Sequence, residues 1–330
     1  MGTLHETIQS LEDHPVTTDL LARRALGPVA PDVAAISIGC APLGNMPDTF
    51  DYEVSEENAV ATVLAALKSP FDYIDTAAWY GDGESERRVG LALQQIGGLP
   101  DGAFLQTKEG RNPAGVYTGD EVRRRFERSL QHLGVDRIEL VFLHDPEHIS
   151  WEDAWATNGP VETLQALKEE GLIGHLGVAG GPIDMEIRYV ESGAFEAVIT
   201  HNRYTLLNRA ADPLLTIAAE RGLAVLNAAP YGSGILAKGP SQYPRYAYRE
   251  AGGVAVQRAY VLEEICSHHE VPLAAAALQF SLRDPRIHNT IVGMSRPERV
   301  QQTLEFAQWD IPDACWDELL AVPFDTSEPE

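Results

Sequence analysis

The chain has 330 residues, 44% of them hydrophobic and 22% charged, which is enough apolar material for a substantial core. A formal net charge of −24 opposes nucleic-acid phosphates and anionic membranes at long range, so neither is expected as a partner. No apolar run approaches the roughly 20 residues that span a bilayer, and the acidic start "MGTLHETIQSLEDH" lacks the pattern of a secretory signal. Cys40, Cys266 and Cys315 stand far apart with no metal-ligand spacing, so no metal is expected and a reducing cytoplasm fits.

Residues 1–22 are read as an N-terminal extension, with a short helix allowed over 4–14, and 23–330 as one domain. The first predicted strand, Ala34–Ile38, runs into "GCAPLGN", which lacks the GxGxxG spacing of a doubly wound nucleotide fold. A helix over Ser55–Lys68 opens on "SEEN", with a serine cap and acids in its first turn. Strands follow at Tyr73–Asp75, Phe104–Lys108 and Leu140–His144, with a helix over Gly119–Leu133 that stops at Gly134. Pro160–Glu170 reads as a helix, His175–Val178 and Ala197–Thr200 as strands. A helix over Asp212–Arg221 should take Asp212 as its cap and Pro213 as its first residue. The last strands are Ala224–Asn227 and Thr290–Gly293. Between them Tyr231–Gly253 is too long for an ordinary connection and is expected to be a lid, where Tyr243, Tyr246 and Tyr248 either close over a ligand or decorate the loop. Eight strands alternating with helices predict a (β/α)8 TIM barrel.

Catalytic groups of such barrels gather at the C-terminal strand ends. Here those ends carry Asp75, Lys108 and His144, with Tyr80 in the loop after Asp75. A phenol is a weak base at neutral pH. An ammonium beside it favours the phenolate and lowers its pKa, and a carboxylate holds the ammonium in place. A neutral imidazole can orient a substrate oxygen. Together these groups suit proton transfer at a carbon–oxygen bond being oxidised or reduced.

The motifs "DTAAWYGDGESERRVG", "QTKEG", "LVFLHDP" and "HNRYTLLNR" resemble the aldo-keto reductase family over roughly residues 20–320. The resemblance implies a nicotinamide cofactor, NAD or NADP, bound without a Rossmann domain. It makes Tyr80 the general acid/base, tuned by Asp75 and Lys108, with His144 orienting the substrate. It implies that Ala179 and Gly180 replace the usual carboxamide-holding side chains, that His201 contacts the carboxamide, and that Asn202 supports the site from beside it. In "NAAPYGSG" Ala228 stands where an aromatic often stacks on the nicotinamide. Tyr231 is expected to compensate there, and Pro230, Gly232 and Gly234 to shape the same turn. The adenosine end falls on Gly293, Ser295, Arg299 and Thr303, and so few donors favour NAD, or use of both cofactors, over strict NADP. "THNRYTLLN" and "GVAGG" look like the aldose 1-dehydrogenase branch, which oxidises a free sugar such as L-fucose, L-galactose or D-arabinose to a lactone. Pyridoxal dehydrogenase, general aldehyde or ketone reductase, and a non-catalytic cofactor-binding sensor stand as alternatives. Trp79 and Trp151 are candidate substrate contacts, Trp151 with plain packing as the alternative. Asp145 and Glu147 either meet a sugar hydroxyl or turn the chain.

Overall fold

The computed structural model describes residues 19–329, so the expected helix at 4–14 lies outside the described residues. Eight parallel strands close into a barrel. They are β1 (Ile36–Gly39), β2 (Tyr73–Asp75), β3 (Phe104–Glu109), β4 (Ile138–His144), β5 (Ile173–Ala179), β6 (Ala197–His201), β7 (Ala224–Ala228) and β8 (Asn289–Gly293). Helices α1 (Glu56–Leu67), α2 (Glu84–Gln95), α3 (Gly119–Leu133), α4 (Pro160–Glu169), α5 (Ile183–Glu191), α6 (Asp212–Glu220), α7 (Leu273–Arg283) and α8 (Glu298–Ala307) follow the strands in turn. Among the described residues no helix is long and apolar enough to cross a membrane.

The strands are buried on both faces, as a parallel barrel sheathed in helices requires. Alternation along each strand sorts the side chains. Tyr73, Phe104, Leu140, Phe142, Ile199 and Leu226 join one apolar cluster inside the barrel. Ile74, Leu105, Val141, Leu143, Val198 and Val225 belong to the cluster shared with the helices. A hairpin of Arg24–Leu26 and Ala30–Val33 adds Leu26 and Val33 to the inner cluster and plugs the N-terminal end of the barrel. That parity carries through to the C-terminal ends. Asp75, Lys108, His144 and His201 each stand an even number of residues beyond an inward apolar residue of their strand, which aims them at the mouth of the barrel.

The capping signals form real caps. Ser55 Oγ accepts the Asn58 N–H at 3.2 Å, and Gly134 ends α3 at φ +69°. At α6 the expected cap is corrected. Ala211 is the capping residue, Asp212 lies inside the helix, and its carboxylate accepts from Arg286 at 2.8 Å. The ion pair with Arg286 occupies the carboxylate that would have capped the helix. The expected long lid is also more ordered than its composition suggested. It contains a turn at Gly232–Gly234, a short helix Ile235–Lys238 and a hairpin pairing Arg245–Tyr246 with Arg249–Glu250, before a helix at Gly253–His268.

Candidate active site

The loop between Asp75 and α2 is held by its surroundings. The Ala78 N–H donates to the Lys108 carbonyl at 3.1 Å, and buried Arg125 donates to the Ala78 carbonyl at 2.6 Å. Ser85, just inside α2, donates to the Cys40 carbonyl at 2.8 Å and meets Thr76 Oγ1 at 2.9 Å. Gly81 has φ +62°, and a Cβ there would lie 2.1 Å from the Gly44 carbonyl oxygen. Both the backbone conformation and the close approach therefore exclude a side chain. Gly81→Ala should lower the melting temperature by several degrees, and because Gly81 adjoins Tyr80 it should also cut turnover more than tenfold. Thermal denaturation and initial rates check both effects, and wild-type values for either would show that the two loops separate freely.

Within this frame Lys108 Nζ donates to Asp75 Oδ1 at 2.6 Å, to the Thr76 carbonyl at 2.8 Å and to the Tyr80 hydroxyl at 3.1 Å. The side chains of Lys108 and Asp75 are 3% and 4% exposed, so the pair is essentially dry. Gln106 Nε2 donates to the same Asp75 oxygen at 2.7 Å, and its own carbonyl accepts from Tyr73. One inward-facing chain thus runs from Tyr73 through Gln106, Asp75 and Lys108 to Tyr80. The His144 ring stands edge-on to Tyr80, 5.8 Å between centroids. Burial drives the His144 imidazole down to about 4, with Lys108 and Arg125 reinforcing it and Asp145 opposing, so it is neutral at pH 7.

The Tyr80 phenol departs from expectation. Burial pushes it well above its ordinary value, and Asp75, Tyr248 and Asp145 add to the rise. The net direction is upward although the Lys108 ammonium stands 3.1 Å from the hydroxyl.

These groups open on a cavity of about 760 Å³. Of the expected contacts, Trp79, Ala179, His201, Ala228, Pro230, Tyr231, Gly234, Gly293, Ser295, Arg299 and Thr303 line it. Gly180, Asn202 and Gly232 stand one layer back. Gly180 donates its N–H to buried Glu186 at 3.0 Å, and Gly232 makes room for the Tyr246 ring, which a Cβ would meet at 2.7 Å. Asn202 accepts from Ser233 Oγ at 2.9 Å, while its buried Nδ2 finds no acceptor among the described residues.

Trp151 is a correction. It lies outside the cavity wall, 4.8 Å from the Tyr189 ring and 5.2 Å from the Trp155 ring, with the Arg188 guanidinium 3.8 Å above it. Ser150 caps the short helix Trp151–Ala154, and that turn delivers the indole onto α5. Trp79 does reach the cavity, with Arg111 stacked 4.5 Å from its ring.

Glu147 gives the Gly180–Gly181 pair a reason. Its carboxylate oxygens would stand 3.1 Å and 2.9 Å from side chains built at those two glycines. Glu147 is exposed to the cavity it lines, and partial burial there, then Asp145, push its carboxyl up to about 7. No pattern in "GVAGG" alone points to Glu147, because the two segments meet only across β4 and β5.

The opposite end of the cavity is basic. Lys238, Arg296 and Arg299 line it, and burial followed by mutual repulsion lowers Lys238 and Arg299. The cations repel one another there, and an anion bound between them would relieve that repulsion. The cluster fits the phosphates of a dinucleotide, and the orphaned Asn202 Nδ2 fits a further acceptor beside His201.

A half-buried ammonium–phenol contact, a neutral imidazole and a carboxylate stand at the mouth of a (β/α)8 barrel, are of the chemical types that move a proton, and share one cavity with a basic end. The Aldo/keto reductase family matches residues 35–322, and the chain belongs to that family of NAD(P)(H)-using oxidoreductases. It is 32% identical to a D-threo-aldose 1-dehydrogenase of Pseudomonas sp, over 87% of this chain and 93% of the relative, which supports the aldose dehydrogenase branch. A pyridoxal 4-dehydrogenase of Microbacterium luteolum is 29% identical, over 89% and 95%. The holo form of an aldo-keto reductase from Bacillus halodurans has the same fold, with a TM-score of 0.76 at 22% identity, over 94% of this chain and 98% of that one.

Proposed function

We propose that the protein oxidises a free aldose at its anomeric carbon to the lactone, with NAD or with either nicotinamide cofactor as acceptor. The observation that carries this reading is Lys108, in a dry pair with Asp75 at 2.6 Å and reaching the half-buried Tyr80 hydroxyl at 3.1 Å. A bound nicotinamide would supply the acceptor for the hydride lost from the anomeric carbon. The chain's own work is the proton. Neutral His144 donates a hydrogen bond to the sugar oxygen and orients it toward Tyr80. Tyr80 removes the hydroxyl proton, and Lys108, held by Asp75, stabilises the charge that forms on the phenolic oxygen. In reduction the same phenol donates the proton. Arg299, Arg296 and Lys238 hold phosphates, while His201 and Asn202 fix the nicotinamide end.

Mixing the protein with NAD or NADP at mildly alkaline pH and following reduced-nicotinamide absorbance tests the reading. L-fucose, L-galactose, D-arabinose and pyridoxal are offered in turn. A rise with a sugar supports it. A rise with pyridoxal alone, or oxidation of NAD(P)H by aldehydes alone, would overturn the sugar assignment.

The pH profile follows from the electrostatics. Because the phenol is held high, kcat/KM for oxidation should climb from pH 7 toward 10, while that for reduction, which uses the protonated phenol, should stay flat over the same range. His144, neutral above about 4, should give no limb near 6.5. A limb near 7 is expected from Glu147, and Glu147→Gln should erase it. A limb near 6.5 that disappears in His144→Asn would show that the imidazole titrates after all.

A further inference from the structure

The turn between Arg245–Tyr246 and Arg249–Glu250 has two residues, Ala247 at φ +49° and Tyr248 at φ +68°. Two successive left-handed residues make a tight hairpin turn that normally carries Asn-Gly or Gly-Gly. A tyrosine at such a position is a genuine outlier. Its surroundings hold it there: Arg245 donates to the Tyr248 carbonyl at 2.8 Å, and the neighbouring Tyr246 is buried with its hydroxyl on the Asn202 carbonyl. The strain delivers a side chain into the cavity. The Tyr248 ring stands edge-on to Phe50 at 5.9 Å and tilted against His201 at 6.5 Å. Tyr248 lines the same cavity as Tyr80, His144 and Ser233. Packing alone would not call for this arrangement, since glycine makes the turn without strain. Strain that persists beside a reacting centre points to a role there.

We propose that Tyr248 is a substrate-binding residue that roofs the reacting centre, laying its ring on the C–H face of a hydroxylated substrate and offering its phenol to one of the substrate's hydroxyls. The assignment rests on the aldose reading above. A phenol both donates and accepts, and its ring is a large, rigid apolar surface.

Tyr248→Gly and Tyr248→Phe in the full-length protein test it. Glycine relaxes the turn, so its melting temperature should equal or exceed that of the wild type. Its KM for the oxidised sugar should rise tenfold or more, with a smaller fall in kcat. In the reductive direction the KM for glyceraldehyde should rise several-fold more than that for propanal, which has no hydroxyl to lose. Phenylalanine should show a smaller rise. NADH or NADPH affinity, titrated by cofactor fluorescence, should change less than threefold. A lower melting temperature with both aldehydes affected equally would make the ring a packing element and overturn the proposal. So would an unchanged sugar KM, or a loss confined to cofactor affinity. If the wild type oxidises no sugar, the aldose reading fails by itself. Tyr248 is then judged on glyceraldehyde against propanal, and an unchanged ratio overturns it.

Discussion

Tyr80→Phe should lower kcat by about 10²–10⁴-fold, the range for losing a general acid/base, while the affinity for NAD(P)H stays within a few-fold of wild type. The substitution removes one oxygen from a ring that keeps its place beside His144. It also removes a hydroxyl whose protonated form burial already favours, so the fold should tolerate it. Steady-state rates and cofactor fluorescence separate the two effects. Wild-type kcat in the mutant would end the assignment of Tyr80. Loss of cofactor affinity in proportion to rate would make Tyr80 a binding residue instead.

Lys108→Met should lower kcat by about 10²–10³-fold, the scale on which removing one preorganised donor acts, and should destabilise the fold as well. The ammonium makes three hydrogen bonds in a dry site, and its loss strands the Asp75 carboxylate there with only Gln106. Removing one partner of a buried ion pair costs about 3–5 kcal/mol. The double variant Asp75→Asn/Lys108→Met removes the stranded charge, so it should recover much of the stability and none of the rate. Denaturant unfolding and kcat, measured on the single and double variants, give the comparison. Recovery of rate together with stability would mean that Lys108 acts only through the fold.

Asp75, Lys108 and His144 were legible because they sit at predicted strand ends, and Tyr80 because it lies in the loop that follows the first of them. A strand ending "YID", another "LQTK" and a third "LVFLH" carry inward parity up to their last residue, and an eight-unit barrel sends such residues to one mouth. Trp151 was misread for the opposite reason. It follows a strand end by seven residues, and the capped turn between decides its direction, which no periodicity encodes. The place of Glu147 beside Gly180 and Gly181 was not legible because those glycines lie on the next strand's loop. The proximity of Lys108 to Tyr80 was visible in the spacing, but the burial that raises the phenol was not.

The sequence by itself determined the barrel, the strand ends and the chemical types gathered there. Alternation, caps and turn residues are local, and local physics reads them. Only the tertiary structure decided how dry the Lys108–Asp75 pair is, that three cations meet at one end of the cavity, and that a strained hairpin carries Tyr248 into it beside His201. Those properties depend on segments far apart in the chain excluding water together, and burial is a sum over all of them.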